Sequence, residues 1–202
     1  DGQPRLYVSC WAGGNFNYSG LNVGFVVCVR PKGGPAVTLP ELQKLGDDQL
    51  LEQLNSPSAV RRLHAQREIL RRGTKALFTA GLEKLAASTS PMASRVAAVF
   101  TLKQLAGWAA QETLIRLARQ DDLREFAVRA LADNKSEAVG GAVPTFVQAL
   151  ADANPRVRLQ AVIGLGRLGQ AKTAAVVLPL LADADQLVAH AAVRTLIDLR
   201  AG

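Results

Sequence analysis

The apolar positions of this chain change their spacing near Pro40. Before it, apolar residues alternate with others along residues 6–11 and 23–30, the period of two that is typical of β-strands. Glycine and asparagine between the two stretches indicate a turn, and the Pro-Lys-Gly-Gly-Pro sequence that follows indicates a linker. The pattern predicts a β-hairpin plus linker over residues 1–35. Because a two-stranded ribbon is marginally stable in water, the hairpin is expected to need a sheet that this chain does not supply.

After Pro40 the spacing becomes helical, and it repeats. Five cores related to Arg-x-x-Ala-x-x-x-Leu follow at intervals of 33, 29, 34 and 31 residues, with Ile69 in the leucine position of the first and Ala189 in place of the arginine in the fifth. Their central alanines are Ala65, Ala98, Ala127, Ala161 and Ala192. A shorter apolar stretch ending in leucine precedes each core, at Leu54, Leu85, Leu117, Leu150 and Leu181. A helix pair of this size cannot bury its apolar face alone, whereas stacked pairs share one core. The sequence therefore predicts a mainly α fold, in which an α-solenoid of about five helix pairs over residues 40–202 follows the short hairpin.

The repeated unit resembles the short HEAT-like repeats. Their signature of an Asp turn, Val-Arg, Ala and Ala-Leu-Gly-x-Leu-Gly is matched best from Asp152 to Gly169 and least well in the second repeat. The resemblance implies stacked helix pairs whose inner helices present a concave surface to a partner.

Residues 5–33 have a separate resemblance, to the closing strands of the β-propeller in bacterial membrane-bound dehydrogenases of the sorbosone or glucose type. In large secreted relatives that propeller is followed by HEAT repeats. The resemblance implies that the chain is the C-terminal part of an exported or periplasmic sugar-dehydrogenase-like protein. Its quinone-cofactor and catalytic positions would precede Asp1, so no catalytic residue is carried over, and no cofactor is expected in this fragment.

Composition excludes several classes of site. The chain is 49% apolar, and its longest apolar run, residues 173–182, is about half of the roughly 20 residues that a membrane span needs, so no membrane insertion is expected. Two cysteines and two histidines are too few for a disulfide scaffold or a typical zinc centre. Cys10 is expected to lie near Val23 and not beside Cys28, although an oxidising compartment would be compatible with a disulfide between the two cysteines.

The string from Gly164 to Gly169 fits the dinucleotide-binding pattern G-x-G-x-x-G. That site needs a strand before the glycines and a helix that starts at them. Here the preceding residues are helical repeat core, so the glycines are expected near the end of a helix, with Gly169 as its C-cap.

The recurring arginines of the repeat, Arg62, Arg95, Arg124 and Arg158, are interpreted as structural. Asp152 precedes Arg158 by six residues, and Asp183 occupies the equivalent place in the next repeat. An aspartate on each turn can bond an arginine of its own or the neighbouring repeat. The alternative is a basic ladder that binds a partner.

A second basic group is predicted to be exposed, because it projects away from the apolar stripe of the first repeat. It consists of Arg61, Arg67, Arg71 and Arg72, called the basic face here. It is either a solvated helix face or a docking site for an acidic or phosphate-bearing partner. Residues 108–139 carry 5 basic and 6 acidic side chains, whereas residues 140–170 carry 3 and 1, so the net charge of +7 is not one continuous stripe. Specific nucleic-acid binding is therefore not expected.

The sequence thus favours a non-catalytic scaffold with a protein partner on the solenoid surface. The alternative is a basic HEAT-like solenoid that binds nucleic acid, of the DNA-glycosylase type, which would need an aromatic residue beside an aspartate on the concave helices. Trp108 is predicted to be a packing residue instead. A phycobilisome-type chromophore lyase is a third interpretation, and it rests on the shared repeats alone. His64 and His190 have no nucleophile and carboxylate at a recognisable spacing.

Overall fold

The computed structural model describes residues 5–11, 23–30, 32–33, 40–133 and 140–199. Strands β1 (Leu6–Trp11) and β2 (Gly24–Val29) pair antiparallel. The predicted turn and most of the predicted linker lie outside the described residues. Cys10 lies opposite Phe25, and not near Val23 as expected, while Cys28 lies opposite Tyr7. Both cysteines are free thiols, because this register separates them.

The ribbon exposes apolar side chains on both faces. Trp11, Phe25 and Val26 are each about half exposed or more, and neither strand contributes to the buried core. Within the described residues the ribbon is a sheet of two strands. This exposure agrees with the expectation that the hairpin needs an additional sheet.

In the described part of the chain, five antiparallel helix pairs follow, as the repeat spacing predicts. The first helices of the pairs are α1 (Asp47–Leu54), α3 (Ala76–Ala87), α5 (Gln111–Leu117), α7 (Val143–Ala149) and α9 (Ala174–Val177). The second helices are α2 (Ala59–Arg72), α4 (Met92–Ala106), α6 (Arg124–Leu131), α8 (Pro155–Leu168) and α10 (Gln186–Asp198). Short 3-10 turns at Leu42–Lys44, Gly107–Ala110, Gly140–Ala142, Ala171–Thr173 and Leu178–Ala182 complete the helical part.

Local sequence explains where several of these helices begin and end. The Ser58 hydroxyl accepts the Arg61 backbone N–H before α2, and the Asp185 carboxylate accepts two backbone N–H groups at the start of α10. Asn154 caps α8, with Pro155 in its first turn. At the other end of α8, Gly169 adopts φ 66°, a left-handed conformation that glycine reaches without strain.

The helices form two layers, the first-helix layer (α1, α3, α5, α7, α9) and the second-helix layer (α2, α4, α6, α8, α10). Each second helix packs against the next one along the array. In the first-helix layer, a cleft of about 540 Å³ opens between α5 and α7. In the described part of the chain, the second helices therefore pack continuously, whereas the first helices leave this cleft between α5 and α7.

The five repeat alanines lie where the helices approach most closely. Ala65, Ala98, Ala127, Ala161 and Ala192 are all fully buried in the shared core. The predicted mainly α solenoid, with its short hairpin, is thus confirmed.

The first prediction concerns one of these alanines. Replacing Ala161 by leucine inserts three carbons into a filled space and is expected to lower the free energy of unfolding by about 1–3 kcal/mol. Denaturant unfolding measures the loss. Ala80→Leu on the exposed side of α3 is the matched control and should unfold like the parent protein. Equal stabilities for the two variants would contradict the repeat register.

Candidate functional site

Three arginines of the repeat join successive helix pairs. The Arg158 guanidinium donates to both Asp183 carboxylate oxygens, at 2.8 and 2.7 Å, and to the Asp152 carbonyl of its own turn at 2.9 Å. Arg124 in turn donates to the Asp152 carboxylate at 2.7 Å and to the Ala118 carbonyl at 3.0 Å. The hydrogen bonds from Arg158 hold the pKa of the Asp183 carboxyl below its usual range.

The same arrangement recurs one pair earlier, where Arg95 bonds the Asp122 carboxylate and the Ala86 carbonyl. We call these contacts the ladder; its members are Arg95, Arg124, Arg158, Asp122, Asp152 and Asp183. The guanidinium groups of the ladder donate hydrogen bonds within the helical array. Arg62 bonds only carbonyls of its own turn, Ser56 and Pro57, among the described contacts, because no carboxylate stands on the following turn at residues 88–90.

The basic face is not the uniformly exposed group that the helical wheel predicts. Arg72 is only 15% exposed and bonds both the Glu68 carboxylate and the Asp47 carboxylate. It also donates to the backbone carbonyls of Leu42, Gln43 and Leu45. The expected exposure is thus wrong for Arg72, because α1 and the turn before it cover that side of α2.

The other three members of the basic face differ among themselves. Arg61 is half-buried, and its Nε is enclosed without a hydrogen-bond partner in the described part of the chain. Arg71 is 63% exposed but bonds Glu68, whereas Arg67 is exposed. Hydrogen bonds from Arg71 and then Arg72 lower the pKa of Glu68 to about 2. Two of the four arginines are therefore already bonded to carboxylates, Arg71 to Glu68 and Arg72 to both Glu68 and Asp47.

The glycine string owes its composition to packing. A Cβ on Gly164 would lie 2.4 Å from Cε1 of Phe146, and a Cβ on Gly166 would lie 2.9 Å from Oγ1 of Thr195. The absence of a side chain at Gly164 therefore lets α7 pack closely against α8, and its absence at Gly166 does the same for α10. Gly169 ends α8. The glycines lie within and at the end of a helix, as predicted, and not before one.

The second prediction follows from this placement. A pyrophosphate needs the free N–H groups of a helix start, and these glycines do not lie at one. We expect calorimetry with NAD to detect no binding tighter than about 1 mM. Micromolar binding that disappears in a folded Gly166→Ala variant would contradict this prediction.

Charge is divided unequally between the two helix layers. The second helices carry thirteen basic residues, five in α2, two each in α4 and α6, three in α8 and one in α10, against three acidic residues. The first helices carry two basic and five acidic residues. Charge counts over continuous segments of the chain do not show this difference, because each repeat contributes one helix to each of the two layers.

Besides Arg67 and Arg71 of the basic face, three arginines of the second-helix layer are exposed. Arg129 is exposed and lies over the Phe100 ring, 5.4 Å from its centroid. Arg156 is 74% exposed, with a carboxylate oxygen of Glu125 at 3.8 Å, and Arg194 is exposed on α10. Exposed arginines on three successive second helices can recognise carboxylates.

The remaining candidates for chemistry do not form a catalytic group. His190 lines a depression of about 450 Å³ with Arg194 and Thr195, but the Thr195 hydroxyl donates to the Val162 carbonyl. Within the described residues, no cluster of His, Cys, Asp and Glu could hold a metal ion, and no helix has the length and hydropathy to cross a bilayer. Trp108 is 69% exposed, so the prediction that it packs into the array is wrong.

Comparisons with known proteins agree with the helical architecture. A family model for HEAT repeats matches residues 119–197. The solved structure of the Escherichia coli protein YibA is similar to this chain at a TM-score of 0.50 and 13% identity, over 81% of this chain and 77% of that one. No curated protein matches the chain. The helical part therefore contains HEAT-like repeats over residues 119–197, and its fold is that of a helical repeat protein.

Proposed function

We propose that this chain is a non-catalytic scaffold for protein–protein interaction, and that its second-helix layer binds an acidic partner. The unequal charge of the two layers carries the proposal. The exposed charged residues of this layer are five arginines and one carboxylate, namely Arg67, Arg71, Arg129, Arg156, Arg194 and Asp198. Such a surface attracts carboxylates over a range of about 8–10 Å at physiological salt. The continuous packing of the second helices gives that surface a fixed shape.

The arginines proposed to contact the partner are those outside the ladder. Arg129, Arg156 and Arg194 are exposed, whereas the ladder arginines already bond carboxylates and carbonyls. Of the basic face, Arg67 and Arg71 keep exposed guanidinium groups on the same layer. Arg72 has a structural role in this proposal.

The wider context is also part of the proposal. The chain would be the C-terminal part of an exported sugar-dehydrogenase-like protein, in which the hairpin joins the propeller sheet and the helical part carries no cofactor of its own. The apolar exposure of the ribbon supports this, since an isolated ribbon of this kind is marginal in water. A native chain with propeller blades before Asp1 would support the context, and a native start at Asp1 would contradict it.

Binding of an acidic peptide tests the scaffold function. The probe is a fluorescein-labelled 13-residue peptide of Glu, Ser and Leu, followed by fluorescence anisotropy at 150 mM salt. Arg129→Glu with Arg194→Glu should weaken binding at least tenfold, because each lost charged contact costs about 1.5 kcal/mol or more. Arg116→Glu in the first-helix layer, where Arg116 is 62% exposed, is the control and should bind like the parent protein. Equal losses in both variants, or no binding at all, would contradict the proposal.

The third prediction concerns the alternative of a nucleic-acid enzyme, which the exposed Trp108 makes worth testing. We expect duplex DNA to bind weakly and without sequence preference, with an affinity that collapses as salt rises, because counterion release would supply the driving force. A complex that persists at physiological salt, prefers damaged duplex and is lost in Trp108→Ala would replace the scaffold function by a base-stacking one.

A further inference from the structure

Five residues occupy the same position in the five second helices. Each lies two residues after the central alanine of its repeat: Arg67, Phe100, Arg129, Ile163 and Arg194. Arginine and an apolar residue therefore alternate from one end of the array to the other. We call these five residues the crossing row, because they run across the helices and not along one of them.

Contacts between neighbouring helices support this alignment. The Arg129 guanidinium lies over the Phe100 ring, which joins α6 to α4 at the row itself. Other contacts join these helices at offset positions: Gln66 bonds Gln104 at 3.4 Å between α2 and α4, and Arg156 lies 3.8 Å from Glu125 between α8 and α6. The alignment of the row therefore rests on the Arg129–Phe100 contact and on the packing of each second helix against the next.

The crossing row lies on the accessible side of the layer. Its three arginines are exposed, and its two apolar residues are half-buried. Depressions adjoin both ends, one of about 380 Å³ beside Arg67 and one of about 450 Å³ that Ile163 and Arg194 line. Three carboxylates lie near the ends, Glu41 and Glu68 at the first depression and Asp198 at the second. Glu41 is bonded by Lys44, and Glu68 by Arg71 and Arg72.

We propose that the crossing row binds an extended protein segment in which acidic and apolar residues alternate at three-residue intervals. Packed helices lie about 8–10 Å apart, so successive row arginines are separated by about 16–20 Å. A polyproline II segment has three residues per turn and advances about 3.1 Å per residue, so side chains three residues apart point to the same face and six residues match that separation. The segment fits the form Glu-x-x-Leu-x-x-Glu-x-x-Leu-x-x-Glu, with each glutamate on an arginine and each leucine on Phe100 or Ile163.

The spacing favours a peptide over a nucleic acid. One strand of duplex DNA carries a phosphate about every 3.4 Å of helix axis, so a backbone-tracking surface needs closely spaced cations. The row interrupts its cations with apolar residues at every second helix. This inference rests on the proposed function, since it specifies what the second-helix layer binds.

A pair of 13-residue peptides tests the spacing. One has glutamate at positions 1, 7 and 13 and leucine at positions 4 and 10, with serine and glycine elsewhere; the other has the same composition with the three glutamates adjacent. Anisotropy at 150 mM salt should give at least tenfold tighter binding for the spaced peptide. Ile163→Asp should abolish that preference, whereas Val147→Asp, at a 37% exposed position of α7, should leave it unchanged.

The outcomes separate this inference from the proposed function. Equal binding of both peptides, with loss in the Arg129→Glu/Arg194→Glu variant, would overturn the row and leave the acidic-partner scaffold standing. If neither peptide binds, both the crossing row and the acidic-partner scaffold are overturned. Single-stranded DNA that binds more tightly than the spaced peptide at the same salt, and competes with it, would also overturn the row as a peptide site. Thermal unfolding of Ile163→Asp within a few degrees of the parent protein confirms that a lost preference reports binding.

Discussion

Replacing Gly164 by valine is expected to lower the free energy of unfolding by about 3 kcal/mol, because overpacking a filled core costs this much. A Cβ at this position would lie 2.4, 2.8 and 2.9 Å from three ring carbons of Phe146. The ring is fully buried in the core that the helices share. Denaturant unfolding followed by circular dichroism measures the loss.

The clash itself can be tested by a double-mutant cycle. Phe146→Leu removes ring atoms that Gly164 accommodates, so the double variant should lose less stability than the sum of the two single losses. A coupling of about 1 kcal/mol or more is expected for residues in direct contact. If the losses of unfolding free energy in the two single variants are additive, contact with the Phe146 ring does not explain why residue 164 is glycine.

This glycine illustrates what the sequence could and could not predict. Helical spacing before Gly164 was sufficient to place the string in a helix and to reject a nucleotide site. The spacing could not identify Phe146 as the reason for the glycine. A helical repeat pattern predicts which face of a helix is buried, but it does not predict which side chain of a neighbouring helix contacts that face. The contact depends on how closely α7 approaches α8, which only the structure specifies.

Some of the arginine contacts could be predicted from the sequence, and others could not. Arg124 and Arg158 contact aspartates one repeat later, and that periodicity is visible in the sequence as a fixed offset between turn and helix. The crossing row was missed because its members differ in chemistry, so that neither an arginine pattern nor an apolar pattern includes all five. Aligning the repeats on their buried alanines could have found it.

The exposure predicted for Arg72 was wrong because a helical wheel does not include contacts with other segments of the chain. The partners of this arginine, Asp47, Leu42 and Leu45, lie 25 to 30 residues earlier in the chain, on α1 and the turn before it. A wheel describes one helix in isolation and cannot show what another segment covers. The same limit applies to Trp108, whose exposure depends on the path of the chain between α4 and α5.

The last prediction is that Arg72→Met lowers the free energy of unfolding clearly more than Arg71→Met does, because it removes one side of a half-buried ion-pair network. Methionine keeps much of the side-chain volume but leaves the 6% exposed Glu68 carboxylate with Arg71 alone, and it removes the Arg72 hydrogen bonds to three backbone carbonyls. Arg71→Met is the matched control, because Arg71 bonds the same carboxylate while being 63% exposed, and exposed ion pairs contribute little to stability. Denaturant unfolding of the two variants measures the difference.

Acid unfolding provides an independent readout of the same network. The folded protein holds the pKa of Glu68 at about 2, below its ordinary value of 4.5, so this carboxylate contributes stability that is complete above pH 4.5 and is lost as the pH falls toward 2. Because Arg72 supplies part of that pKa shift, the melting temperature of Arg72→Met should fall less steeply over this pH range than that of the parent protein. Parallel pH profiles for the two proteins, together with equal costs for Arg71→Met and Arg72→Met, would show that Arg72 is a surface residue after all.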